Sequence, residues 1–100
     1  MNQQDKTDEG ILQAIMVRLE KTRLPRLLEL KEKVDQGKRL NSFDIEFLER
    51  VVEGAEDNAA RIERHPEYHE LVRRLAHLYH EITEKALQNE KGEGTPPAGE

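Results

Sequence analysis

The stretch Arg61-Ile62-Glu63-Arg64-His65-Pro66-Glu67-Tyr68 decides the fold of this chain, because the apolar stripe on either side of Pro66 changes sides. Across residues 43–64, Phe47, Leu48, Val51, Val52, Ala55 and Ile62 fill one sector roughly 160° wide at the 100° per residue of an α-helix. Glu46, Glu49, Arg50, Glu53, Glu56 and Asp57 fill the other side. Beyond Pro66, Tyr68, Leu71, Val72, Leu75, Leu78 and Ile82 make a second stripe, centred about 155° from the first if the helix ran on unbroken. One straight rod would then carry apolar stripes on opposite faces. The residue before a proline is pushed out of the α region and proline itself suits the first helical position, so the chain is expected to reverse at Arg64-His65-Pro66.

Pro25 gives the opposite answer. Leu12, Met16 and Leu19 before it and Leu27, Leu30 and Val34 after it stay within roughly 80° of one another in a single helical frame, and Pro25 falls on the solvent side. The expectation is one kinked helix over residues 9–36; the alternative is a break at residues 22–24, giving four helices. Gly37 is placed to end this helix in a left-handed conformation. Asn41 caps the next helix, with Asp44 completing a capping box and Leu40 stapling against Ile45; Ser42 is the alternative cap. The fold class is therefore all-α: a small antiparallel bundle of three helices, the first kinked at Pro25 or split to give four, and dimerising. Residues 1–8 are expected to be a flexible tail, 9–90 one helical domain, and 91–100 a disordered tail, since Gly-Glu-Gly-Thr-Pro-Pro-Ala-Gly-Glu offers nothing apolar to a core.

Composition narrows the function classes. Of the 100 residues, 35% are hydrophobic and only 4% aromatic, so the core must be aliphatic and thin. No run approaches the ~20 apolar residues of a membrane span, and the first residues lack the basic and apolar regions of a signal peptide, which together predict a cytoplasmic protein without a membrane role. The absence of cysteine excludes disulfides and thiol chemistry. Residues 18–39 carry eight Lys or Arg against four acids, whereas 44–64 carry seven acids against three arginines, so the first two helices attract each other. Arg18, Lys21, Arg23, Arg26 and Lys31 are spread around the helix and the chain has a net charge of -5, which argues against nucleic acid as a partner.

One constellation has the residue types for chemistry. His77 and Glu81, and His80 and Glu84, are each four residues apart on the polar side of the last helix. Imidazole and carboxylate at that spacing can bind a divalent metal, so His77, His80, Glu81 and Glu84 form a candidate metal site, against the plainer reading of helix-stabilising ion pairs. None of the four histidines has a Glu three residues before it, which excludes the di-iron carboxylate pattern. Ala76-His77-Leu78-Tyr79-His80-Glu81 resembles a histidine phosphotransfer helix only over those few residues. No Ser/His/Asp set or phosphate-binding glycine loop is present, so no catalytic residue and no resident cofactor is assigned.

The first helix, if continuous, would be about 42 Å long against roughly 33 Å for the others, and its N-terminal part would overhang. Ile11, Leu12, Ile15, Met16 and Leu19 lie there and form the candidate interface. A second copy of the chain is the simplest cover; a partner's amphipathic helix is the alternative. The expected function is a non-enzymatic protein-protein interaction or oligomerisation module, with a metal-binding bundle as the second reading. A polar residue at Leu75 or Leu78 is expected to unfold the domain in either case.

Overall fold

The structure, a computed structural model, describes residues 3–92, all of whose regular elements are helical. Helix α1 (Gln3–Arg18) passes through a five-residue π-helical stretch (Leu19–Arg23) into α2 (Leu24–Asp35). After a loop come α3 (Ser42–Asp57), the short α4 (Ala59–Glu63), a 3-10 turn (Pro66–Tyr68) and α5 (His69–Glu90). The backbone stays helical through the π stretch, with φ/ψ of -63°/-41° at Arg18 and -63°/-47° at Leu24, but the hydrogen-bond ladder changes register. The Leu24 N–H bonds to the carbonyl of Leu19, five residues back. A widened turn just ahead of Pro25 is a physical answer to a ring that carries no N–H and would crowd the Lys21 carbonyl in a regular α-helix. Pro25 faces solvent, and the rod stays helical through it.

Three rods result, running up, down and up. Asp8 on α1 meets Arg64 just past α4, Asp44 at the start of α3 meets Arg26 and Lys33 on α2, and Asn89 at the end of α5 meets Val34 at the end of α2. The expected overhang does not include residues 11–19: Asp8 already pairs with Arg64, and only residues 3–7 of α1 run past that pairing. From Asp8 to Val34 the first rod covers about 39 Å, and from His65 to Asn89 the last covers about 36 Å. The domain is long and narrow, 64 × 19 × 17 Å, close to two helix diameters across.

Local chemistry explains most element ends. After α2, Gly37 adopts φ 84°, its N–H bonding to Val34 and the Lys38 N–H to Lys33, a Schellman turn that satisfies two otherwise free carbonyls. Asn41 caps α3: its side chain accepts from the Asp44 N–H at 2.9 Å, and Asp44 accepts from the Asn41 N–H at 3.1 Å. Leu40 packs on the core, while its expected staple partner Ile45 is exposed. At His65 the backbone leaves the helix (φ -128°, ψ 83°), and Pro66 opens the 3-10 turn that leads into α5.

Three expectations need correction. The helix starts at Gln3, not at residue 9, and Asp8, assigned to the tail, is buried and bonded. The rod expected to run unbroken over residues 43–64 is interrupted at Asn58 (φ -108°, ψ 5°), whose side-chain amide donates to the Gly54 carbonyl at 2.8 Å and competes with the backbone for it. The first rod is helical throughout yet divided by the π stretch, so the count is four α-helices of 12 or more residues plus the five-residue α4 among the described residues. Of the expected C-terminal tail, only Lys91 and Gly92 lie within the described residues.

The core is concentrated where α2 meets α5. Leu27, Leu30, Leu48 and Ile82 are buried together, with Phe47, Leu75, Leu78 and Tyr79 partly buried against them. Asn89 closes one end: its amide donates to the carbonyls of Val34 (2.8 Å) and Lys38 (2.9 Å), which the Schellman turn brings side by side. Replacing Asn89 with Ala takes this donor from the Lys38 carbonyl and leaves Val34 only the Gly37 N–H, at about 1 to 3 kcal/mol. A urea titration should then show a lower midpoint with an unchanged slope.

Candidate functional site

The candidate metal residues form two separate pairs. His77 Nδ1 lies 3.3 Å from Glu81, and His80 Nε2 lies 2.8 Å from Glu84, with both imidazoles largely exposed. Among the described residues, no three His, Asp or Glu side chains converge as a metal requires. His77, His80, Glu81 and Glu84 are on one helix side but their donor atoms are spent in neighbouring i,i+4 pairs, which are modest surface interactions.

Four of the five candidate interface residues come together within one groove, and Ile11 is not among its lining residues. Leu12 and Leu19 are buried and Ile11, Ile15 and Met16 half-buried. Leu12, Ile15, Met16 and Leu19 form one wall of an apolar groove of about 580 Å³. Val51, Val52 and Ala55 of α3 form the second wall, and Leu71, Val72 and Leu75 of α5 the third. The groove follows from the packing: the α2–α5 half of the bundle closes on Ile82, whereas the α1 half is held at its far end by polar contacts. There, Arg64 donates to Asp8 through Nε (2.7 Å) and a terminal nitrogen (3.0 Å), with Arg61 at 3.7 Å and His65 at 3.6 Å. The Arg64 hydrogen bond holds the Asp8 carboxyl below the usual carboxylate range despite its burial, so this clamp stays ionised at neutral pH.

Two guanidinium groups reach the same groove. In an unbroken α-helix, Arg18 and Arg23 would point about 140° apart. The π stretch, in which each residue sits over the one five positions back, brings both to the groove wall. Neither side chain has a hydrogen bond or ion pair among the described residues. Two other cations of that region are committed: Arg26 bonds to Asp44 and lies 5.3 Å from the Phe47 ring centroid, and Lys31 bonds to Asp35 at 2.7 Å with Glu81 at 3.8 Å. Arg23 approaches α3 so closely that a Cβ on Gly54 would meet its guanidinium at 3.0 Å.

Helical periodicity puts Leu12, Ile15, Met16 and Leu19 on one apolar surface, read as an overhanging interface and not as a groove wall, and Arg18 and Arg23 are visible only once the π register is known. The Asp8–Arg64 clamp spans 56 positions and leaves no local mark in the sequence. Among the described residues no helix is long and apolar enough to cross a membrane. No known protein family, curated protein or solved structure matches the chain.

Proposed function

We propose that this chain is a non-enzymatic interaction module that receives the apolar face of a helix in the groove between α1, α3 and α5. The observation that carries the reading is a half-open groove of about 580 Å³ whose walls are aliphatic side chains from three helices. Along the first rod it extends from Leu12 to Leu27, about 22 Å, a shape suited to the side-chain ridge of a helix. Met16 adds an unbranched, adaptable side chain to this wall. Burying such a surface is favourable at about 25 cal/mol per Å² of apolar area, which gives the groove a reason to be covered. A fourth helix laid there would complete a bundle of the common four-helix kind.

The test uses a labelled Leu-rich amphipathic peptide of about 20 residues, long enough to be helical. Its fluorescence anisotropy should rise on titration with the wild-type chain. With Ile15→Glu, which places a charge in the groove wall at a half-buried position, binding should weaken at least about tenfold while the far-ultraviolet circular dichroism is unchanged. No anisotropy change with the wild-type chain would sink the reading.

A further inference from the structure

The groove has a complement on the chain's own surface. Phe43, at the start of α3, is 74% exposed and Ile45 49% exposed, the former the most exposed large apolar side chain among the described residues. Phe43, Phe47 and Val51 follow one another at spacings of four residues, only about 40° apart per step around the helix. Val51, Gly54 and Asn58 continue that face and line the groove. One face of α3 therefore carries a protruding aromatic at one end and a recess at the other.

We propose that a second copy of the chain fills the groove, the two α3 helices crossing antiparallel about a two-fold axis near Arg50, with Phe43 of each copy entering the groove of the other beside Ile15 and Met16. This rests on the groove being a docking surface, and goes further by naming the occupant.

The levels agree. Asp8 meets Arg64 at one end, and Arg23 reaches Gly54 further along, so Ile15 and Met16 stand level with the Asp57 end of α3. An antiparallel α3 centred on Arg50 brings Phe43 of the second copy to that level. It also sets Glu46 of the second copy opposite Gly54, where Arg23 lies without a partner of its own among the described residues. Glu46 itself has only a 3.7 Å contact with Arg50, both well exposed, and can turn to a better cation. Because the arrangement is isologous, each contact occurs twice. An aromatic anchor in an apolar pocket, rimmed by a carboxylate–guanidinium pair, is the usual composition of an energetic centre at an interface.

The experiment compares solution mass by light scattering over a concentration series for the wild-type chain, Phe43→Ala and Ile15→Glu. Phe43 does so little inside its own copy that its replacement should leave the thermal midpoint of the monomer in place. The expected result is twice 11.6 kDa for the wild type and, for both variants, a dissociation constant raised at least about tenfold. The chain has no cysteine, so a mixture of the single variants Phe43→Cys and Met16→Cys adds a positional test: oxidation should give a crosslinked pair of one of each. Within one copy those positions are about 25 Å apart along the rod, since Phe43 adjoins the partner of Lys33, so the crosslink reports only on contact between copies.

A wild-type dimer lost with Ile15→Glu but kept with Phe43→Ala, and no mixed crosslink, would overturn the occupant and leave the groove as a docking surface. A dimer indifferent to both variants would overturn both. A wild-type monomer at every concentration would overturn the second copy as occupant, with the groove then judged by peptide binding alone.

Discussion

Ile82→Ala should lower the thermal midpoint of this domain by at least about 10 °C, the largest effect expected of any single aliphatic truncation in the chain. Ile82 is 0% exposed and sits among Leu27, Leu30 and Leu48, where α2, α3 and α5 meet. Removing three carbons there forfeits their transfer free energy and leaves a cavity that helices on three sides cannot collapse to fill, about 2 to 5 kcal/mol. That is a large share of the roughly 5 to 15 kcal/mol that keeps a domain of this size folded. Differential scanning calorimetry checks it, and an unaltered midpoint would mean that the α2–α5 contact is not the centre of stability. The periodicity alone puts Ile82 in one stripe with Leu75 and Leu78 and does not set it apart from them. Both are only half-buried, so truncating either should cost less, and the position that matters most lies one turn beyond Leu78.

Asp44→Ala should be the most damaging change among the polar residues. This carboxylate caps α3, accepts from Arg26 at 2.9 Å and from Lys33 at 2.6 Å, and has a side chain only 5% exposed. The substitution removes the reciprocal half of the capping box and both ties from α3 to α2, leaving Arg26 and Lys33 without that carboxylate. Because Arg26 and Lys33 retain access to water, the loss is discounted to about 2 to 3 kcal/mol. The same residue makes stability depend on pH. Burial pushes its pKa up, but the Lys33 hydrogen bond, the Asn41 N–H and the Arg26 guanidinium outweigh burial and hold it below the ordinary 3.8. A folded pKa below the unfolded one means the contribution is present in full above the unfolded value. It is lost as pH falls from there through the lower folded value. Acid titrations of the wild type and Asp44→Asn should therefore begin to approach each other as pH falls below about 4 and meet only once it has passed through the lower folded value, where both carry an uncharged group at this position. Curves that stay parallel to the lowest pH would show that Asp44 is not the titrating group.

What could be read in advance was whatever depends on neighbours a few positions away. The Asn41–Asp44 box, the left-handed Gly37 and the reversal at His65-Pro66 are each built from residues within one or two turns, and the apolar stripes repeat at the helical period. Asn58 is a local signal that was outweighed by the amphipathic run around it. Its side chain turns back to Gly54 and ends α3 where periodicity continues.

The sequence by itself determined that the protein is all-helical, that its rods pack antiparallel to the next in the chain, and which face of each rod is apolar, because hydrogen-bond geometry and side-chain spacing act over single turns. It also marked Leu12, Ile15, Met16 and Leu19 as one surface. Only the tertiary structure decided that this surface is the wall of a groove, not a free end. That outcome depends on Asp8 meeting Arg64 and Asn89 meeting Val34, contacts between residues 56 and 55 positions apart whose existence follows from how long each rod is and where the chain reverses. The change of register is the deciding detail: one π turn ahead of Pro25 shifts the helical phase, and with it brings Arg18 and Arg23 to the same groove.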